Sequence, residues 1–157
     1  MRVLLVGATG TVGSAIATAL ESAGDSVVSA GLSSGDYKVD LAEPQAVRAL
    51  IDAVGPVDAL VCAAGLAQFG SVEELDDQAY KLSLSNKLMG QVNLVRFGLD
   101  TVRPNGSFTL TSGTLSTRPT LGTAAVAMVG SGVEAFVRAA ALDLKGRYRA
   151  VSYTHLR

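Results

Sequence analysis

Hydrophobic residues along the chain recur in two rhythms, and the rhythms alternate. Residues 2–6 form a short run of β-branched residues and leucine that stops at Gly7, which predicts a buried strand. From Thr11 the apolar positions Val12, Ala15, Ile16, Ala19 and Leu20 return at helical spacing until Gly24, so a helix follows the strand after a tight turn. Residues 26–30 predict a second strand and residues 37–41 a third, very short one, with Gly31-Leu32-Ser33-Ser34-Gly35 as the loop between them. Pro44 suits the first turn of a helix that carries Val47, Leu50, Ile51 and Val54 and stops at Gly55-Pro56. Residues 57–62 are almost entirely apolar, as expected of a strand covered on both faces. A long helix over residues 75–102, a strand over 107–111 after Pro104-Asn105-Gly106, a small-residue helix over 123–144 and a last strand over 148–152 complete the order. Strands alternating with helices predict an α/β fold, a doubly wound parallel sheet of about six strands with helices on both faces. With no internal repeat and no low-complexity linker, residues 1–152 are expected to form one domain, followed by a short tail over 153–157.

Composition narrows the function classes. The 13 Lys and Arg nearly balance 14 Asp and Glu, a net charge of -1, so no general field attracts nucleic acid or an anionic membrane, and any anion must be held locally. Mean hydropathy is high at +0.35, yet glycines and charges interrupt each apolar run before the ~18 residues a membrane helix needs. Residues 1–7 are too short an apolar run for a secretory signal and lead into turn chemistry. A single cysteine, Cys62, excludes an internal disulfide and a multi-cysteine metal site; it fits a reducing cytoplasm and a core-packing role, and no metal is expected.

The chemistry concentrates where the first strand passes into the first helix, at Gly7-Ala8-Thr9-Gly10-Thr11-Val12-Gly13. Glycines there permit a positive-φ turn and close approach of backbone to a pyrophosphate, whose charge the free N–H groups and the helix end stabilise. The spacing is GxxGxxG, one residue longer than GxGxxG, and the absence of GK[ST] excludes a Walker loop. Gly7, Thr9, Gly10, Thr11, Val12 and Gly13 are therefore candidate dinucleotide contacts, against the alternative of a glycine-rich turn without a ligand.

The same segment, with others in order after it, resembles the short-chain dehydrogenase/reductase family over nearly the whole chain. Val39-Asp40-Leu41 is similar to the family's short strand, whose Asp bonds the adenine. Cys62-Ala63-Ala64-Gly65 resembles its NNAG with both Asn replaced, Asn86 its mid-helix Asn, and Phe108-Thr109-Leu110-Thr111-Ser112 its strand ending in the active-site Ser. Residues 134–144 are similar to the second half of its catalytic helix. The resemblance implies a Rossmann-like sheet, a nicotinamide cofactor held also by Asp40, Leu41, Ala63, Ala64 and Gly65, and catalytic roles for Ser112 and Asn86. It also implies a homodimer through the two long helices. The family's YxxxK pair falls on Val126 and Gly130, so the proton-donating Tyr and the ribose-holding Lys are absent; Tyr80 and Lys81 are weak candidates to replace them.

The end of the second strand decides between cofactors. Ser29-Ala30-Gly31-Leu32-Ser33-Ser34 carries no acid for the ribose hydroxyls, and its serines can donate to a 2′-phosphate. NADP is expected, with NAD the alternative, and Leu32 and Ser33 as contacts. Two functions stay open: an NADP-dependent oxidoreductase of carbonyl or alcohol substrates with weakened chemistry, and a non-catalytic dinucleotide-sensing or regulatory module. The family's seventh strand and substrate-covering segment have no counterpart, and the residues after Ser152, with the lone His155, match nothing expected.

Overall fold

The computed structural model describes residues 1–154; His155 lies outside the described residues. Six strands, β1 (Arg2–Val6), β2 (Ser26–Gly31), β3 (Tyr37–Lys38), β4 (Val57–Cys62), β5 (Val102–Thr111) and β6 (Arg149–Tyr153), form one sheet in the order β3-β2-β1-β4-β5-β6. Every neighbouring pair is parallel. The chain builds outward from β1 on one side, then crosses over to β4 and builds outward on the other. The carboxyl ends of β1 and β4 thus border the crevice where ligands of such sheets bind.

The pleat sorts side chains onto two unlike faces. Leu60, Cys62, Phe108 and Leu110 join one core with helices α2 (Pro44–Val54), α4 (Gly90–Gly98) and α5 (Ala124–Asp143), through Ile51, Leu94, Val133 and Val137 among others. Val61, Thr109 and Thr111 point the opposite way, into an open trough of about 600 Å3 whose other wall is helix α1 (Thr11–Ser22). Among the described residues, then, three helices cover one face and α1 alone lies on the other. Phe108 sits at the centre of the covered face, fully buried, with the Tyr148 ring edge-on at 5.7 Å and the bare Cα of Gly98 beside it. The twenty-residue α5 is long and apolar enough to cross a bilayer by length and composition, but Ala125, Val129, Val133 and Val137 are buried in this fold.

Element boundaries depart from the sequence in informative ways. The long helix starts at Asp77 because Asp76 caps it, its carboxylate accepting from Ala79 N at 2.9 Å, and it ends at Gly98 rather than 102. Its middle, Leu84–Met89, is a π-helical turn between α3 (Asp77–Ser83) and α4. Strand β5 begins at Val102, not 107. Val57 pairs with Val102 and Ala59 with Ser107, so Pro104-Asn105-Gly106 bulges out of a continuing strand with Asn105 at φ 66°. Strand β3 is only two residues, and β6 runs through Tyr153, past the boundary expected at 152, with Tyr153 opposite Thr111.

Candidate dinucleotide crevice and adjoining cavity

At the end of β1 the chain turns at Gly7, whose φ of +89° favours glycine; a Cβ there would lie 2.9 Å from Ala63 and Ala64. Ala63 N donates to Val6 O at 2.8 Å, so the segments leaving β1 and β4 run side by side. Gly13 is tighter still, since its Cβ would stand 1.9 Å from Gly7 O. Helix α1 can start against the turn only because that side chain is missing. Gly10 occupies the cap position and offers no side-chain acceptor. Ser14 N donates to Gly10 O at 2.8 Å, whereas the N–H groups of Thr11, Val12 and Gly13 have no partner among the described residues. Thr9, Gly10, Thr11 and Val12 are exposed, so no side chain plugs the turn. The positive end of a twelve-residue helix therefore opens onto the carboxyl edge of the sheet, an arrangement that suits a diphosphate.

Beside the turn lies a small, largely apolar pocket of about 120 Å3, which Leu32, Val39, Leu41, Ala64 and Gly65 help to line. Leu32 is 61% exposed at its mouth, and Ser33 is exposed next to it. Ser34 Oγ lies 2.8 Å from Thr9 Oγ1, tying this loop to the glycine turn. Asp40, the expected adenine contact, has one of its two carboxylate oxygens engaged within the fold. Its Oδ1 accepts from Ala42 N at 2.9 Å and from Asn86 Nδ2 at 3.2 Å, so the carboxylate closes its own turn, and Val39 and Leu41 face the pocket. Asn86 has both polar ends occupied, for its Oδ1 accepts from Leu66 N at 2.8 Å. It is 5% exposed and clamps the segment after β4 to the segment after β3. Asp36, just before β3, folds back so that Ser29 N and Ser29 Oγ both donate to its Oδ2 at 2.8 Å; these bonds hold its carboxyl below the usual range.

Gly65 also borders a second cavity, of about 190 Å3, between the end of β5 and α5. Ser112 lines it, with Val126 and Gly130 one helical turn apart on α5; Lys87 reaches it from the π-helical turn. Tyr80 and Lys81 do not line it. The Ser112 hydroxyl donates to Glu134 Oε1 at 2.7 Å, and Gly130 O is a further acceptor at 3.1 Å. Ser116 Oγ donates to the same Glu134 oxygen at 2.5 Å and Thr154 Oγ1 at 3.2 Å. The bond from Ser116, then those from Ser112 and Thr154, outweigh desolvation and hold the Glu134 carboxyl below its usual range. Sequence reasoning assigned Glu134 and Lys87 no role. Glu134 sits on the same helix face as 126 and 130, at four-residue steps, which was the available signal. Cys62 is fully buried and its thiol is pushed up to about 11 by burial, which leaves it neutral and packed.

The lowered Glu134 pKa has a consequence for stability. Its folded value lies below its unfolded one, so it contributes stability above the unfolded value of about 4.3 that is lost as pH falls through the folded value. Glu134→Gln should therefore lose less stability than the wild type between about pH 7 and about pH 3. Urea unfolding at the two pH values measures this; equal losses would contradict the assignment.

A family model described as enoyl-(acyl carrier protein) reductase matches residues 7–153. No curated protein matches the chain by sequence. Among solved structures, the protein lin1944 from Listeria innocua is 38% identical, with a TM-score of 0.93 over 100% of this chain and 79% of that one. A small-chain dehydrogenase in complex with NADPH is 27% identical, with a TM-score of 0.88 over 97% of this chain and 68% of that one. A short-chain dehydrogenase/reductase from Brucella melitensis, described as glucose/ribitol dehydrogenase, shares the fold at 20% identity and a TM-score of 0.91, over 98% of this chain and 71% of that one.

Proposed function

The chain belongs to the short-chain dehydrogenase/reductase family, and on that premise we propose that it binds NADPH along the β1–β4 crevice and reduces a carbonyl compound in the cavity beyond Gly65. The observation that carries this reading is the open start of α1. Three N–H groups without a partner among the described residues, at Thr11, Val12 and Gly13, lie beneath a turn that a side chain on Gly13 would close. Fold and chemistry agree there, because nothing in the folding of a plain turn requires a bare Cα so close to Gly7 O. The diphosphate takes those N–H groups and the adenine takes the apolar pocket between Leu32, Val39 and Leu41. NADPH is preferred over NADH. Asp36, the acid nearest the end of β2, is turned onto Ser29, while Ser33 is exposed and Lys38 pairs in register with Gly31 at the strand end. When bound, the nicotinamide supplies a hydride; this chain supplies the walls, Ser112 and Lys87.

Neither Val126 nor Gly130 can donate a proton. Loss of a positioned general acid costs about 100- to 10,000-fold, so turnover is expected to be slow unless another group serves. Fluorescence titration with NADPH and NADH, followed by NADPH oxidation with aldehydes and ketones, tests the proposal. The expected result is tighter binding of NADPH by about tenfold, roughly 1.4 kcal/mol, with slow carbonyl-dependent oxidation. Binding without any oxidation would instead support a dinucleotide-sensing module, and absence of binding would contradict both.

A further inference from the structure

We propose that Lys87 is the proton donor of this site, delivering its ammonium proton to the oxygen of the carbonyl substrate from the opposite wall to α5. The proposal rests on the functional reading above and names the group that completes it.

The argument begins with the hydrogens available in the cavity. Of its lining side chains, only those of Ser112, Ser116 and Lys87 carry a polar hydrogen. Each serine has one, and Glu134 Oε1 is the nearest acceptor for both, at 2.7 Å and 2.5 Å. Both hydroxyls therefore present lone pairs to the cavity, able to accept from a ligand but not to protonate one. Lys87 has three hydrogens and, among the described residues, forms neither a hydrogen bond nor an ion pair.

The fold brings this side chain to the wall of the cavity. Its stem crosses Gly65, where a Cβ would lie 2.4 Å from Lys87 Cδ and 3.2 Å from Lys87 Cα, and Gly65 holds φ +139°. The lysine's own backbone lies in the π-helical turn Leu84–Met89, next to Asn86, whose side chain pins that turn to Leu66 and Asp40. Gly65 and Asn86 thus act on Lys87, one by clearing its path and the other by fixing its base. Burial disfavours the ammonium and lowers the Lys87 pKa, so the proton leaves more readily than from a lysine in water. The titratable neighbour that acts on it is the Cys62 thiol at the end of β4, which is neutral; Glu134, on α5, is turned to Ser112, Ser116 and Thr154.

The step balances. As the carbonyl carbon gains a hydride from the reduced nicotinamide, the C=O π pair moves to oxygen, which takes the proton from Lys87 Nζ. The products are an alcohol, the oxidised nicotinamide and a neutral amine, which regains a proton from water.

Lys87→Met tests the assignment, with thermal unfolding to show that the variant folds. In the wild-type apoprotein, NMR titration of the lysine side chains should show one amine titrating below the others, absent from Lys87→Met. The variant should bind NADPH within about threefold of the wild type. Its kcat for the reduced aldehyde or ketone should fall about 100-fold, and the fall in wild-type kcat at alkaline pH should disappear. An unchanged kcat with unchanged NADPH binding would overturn the role of Lys87 alone. Equal losses in NADPH affinity and kcat/KM would overturn it in favour of a cofactor clamp. A wild type that binds NADPH without oxidising it removes the chemistry and this proposal together, and one that does not bind NADPH removes the functional reading itself.

Discussion

Replacing Gly13 with valine should abolish measurable NADPH binding, a loss of at least about 100-fold. The first added carbon alone would stand 1.9 Å from Gly7 O and 2.6 Å from Gly7 C, distances that real atoms do not adopt. Either α1 moves outward or the turn opens, and each displaces the N–H groups of Thr11, Val12 and Gly13 from their common focus. The strain also costs stability, about 1–3 kcal/mol for an overpacked contact of this kind. Gly98→Val provides the control, because its added carbon would press on Phe108 at 3.1 Å in the covered core and so costs stability without touching the turn. Fluorescence titration and urea unfolding of the two variants separate the effects. Wild-type affinity in Gly13→Val would contradict the cradle.

Phe108→Ala should produce the largest loss of stability, about 3–5 kcal/mol. Phe108 has no exposed surface, its ring meets Tyr148 edge-on, and Tyr148 is itself held by a 2.6 Å bond from its hydroxyl to Leu99 O. Few atoms nearby can collapse into the space, since β4 lies on one side and β6 on the other. Against a typical total of about 5–15 kcal/mol, this is enough to move a urea midpoint by one to several molar, given a slope of about 1–3 kcal/mol per molar. A change below about 1 kcal/mol would show that the core is not centred where the buried contacts place it.

Much of the architecture could be read from local pattern. The strand, turn and helix around Gly7-Gly13, and the helix between Pro44 and Gly55, follow from residues whose backbone preferences coincide with their place in the fold. What remained hidden depends on partners distant in sequence. A π-helical turn inserts one extra residue per turn into an otherwise helical period, so Leu84–Met89 reads as ordinary helix. Pro104 disguises the first half of β5 because the bulge that accommodates it arises from pairing with Val57 and Ala59, more than forty residues earlier. The same holds at the site. Asp40 presents itself as a carboxylate next to a short strand, and while its bond from Ala42 N is local, its second partner, Asn86, lies 46 residues away. Glu134 and Lys87 are charged residues on helices, usual solvent-facing positions, until the ends of β4 and β5 bring Gly65 and Ser112 against them.

The central claim is that backbone amides at the start of α1 hold the diphosphate of a nicotinamide dinucleotide. Titrating NADPH into 15N-labelled protein and following the amide resonances tests it directly. The largest shifts are expected at Thr11, Val12 and Gly13, with smaller ones at Ser33 and Ala64. Shifts confined to the open trough against Val61 and Thr109, with the α1 amides unmoved, would contradict the account.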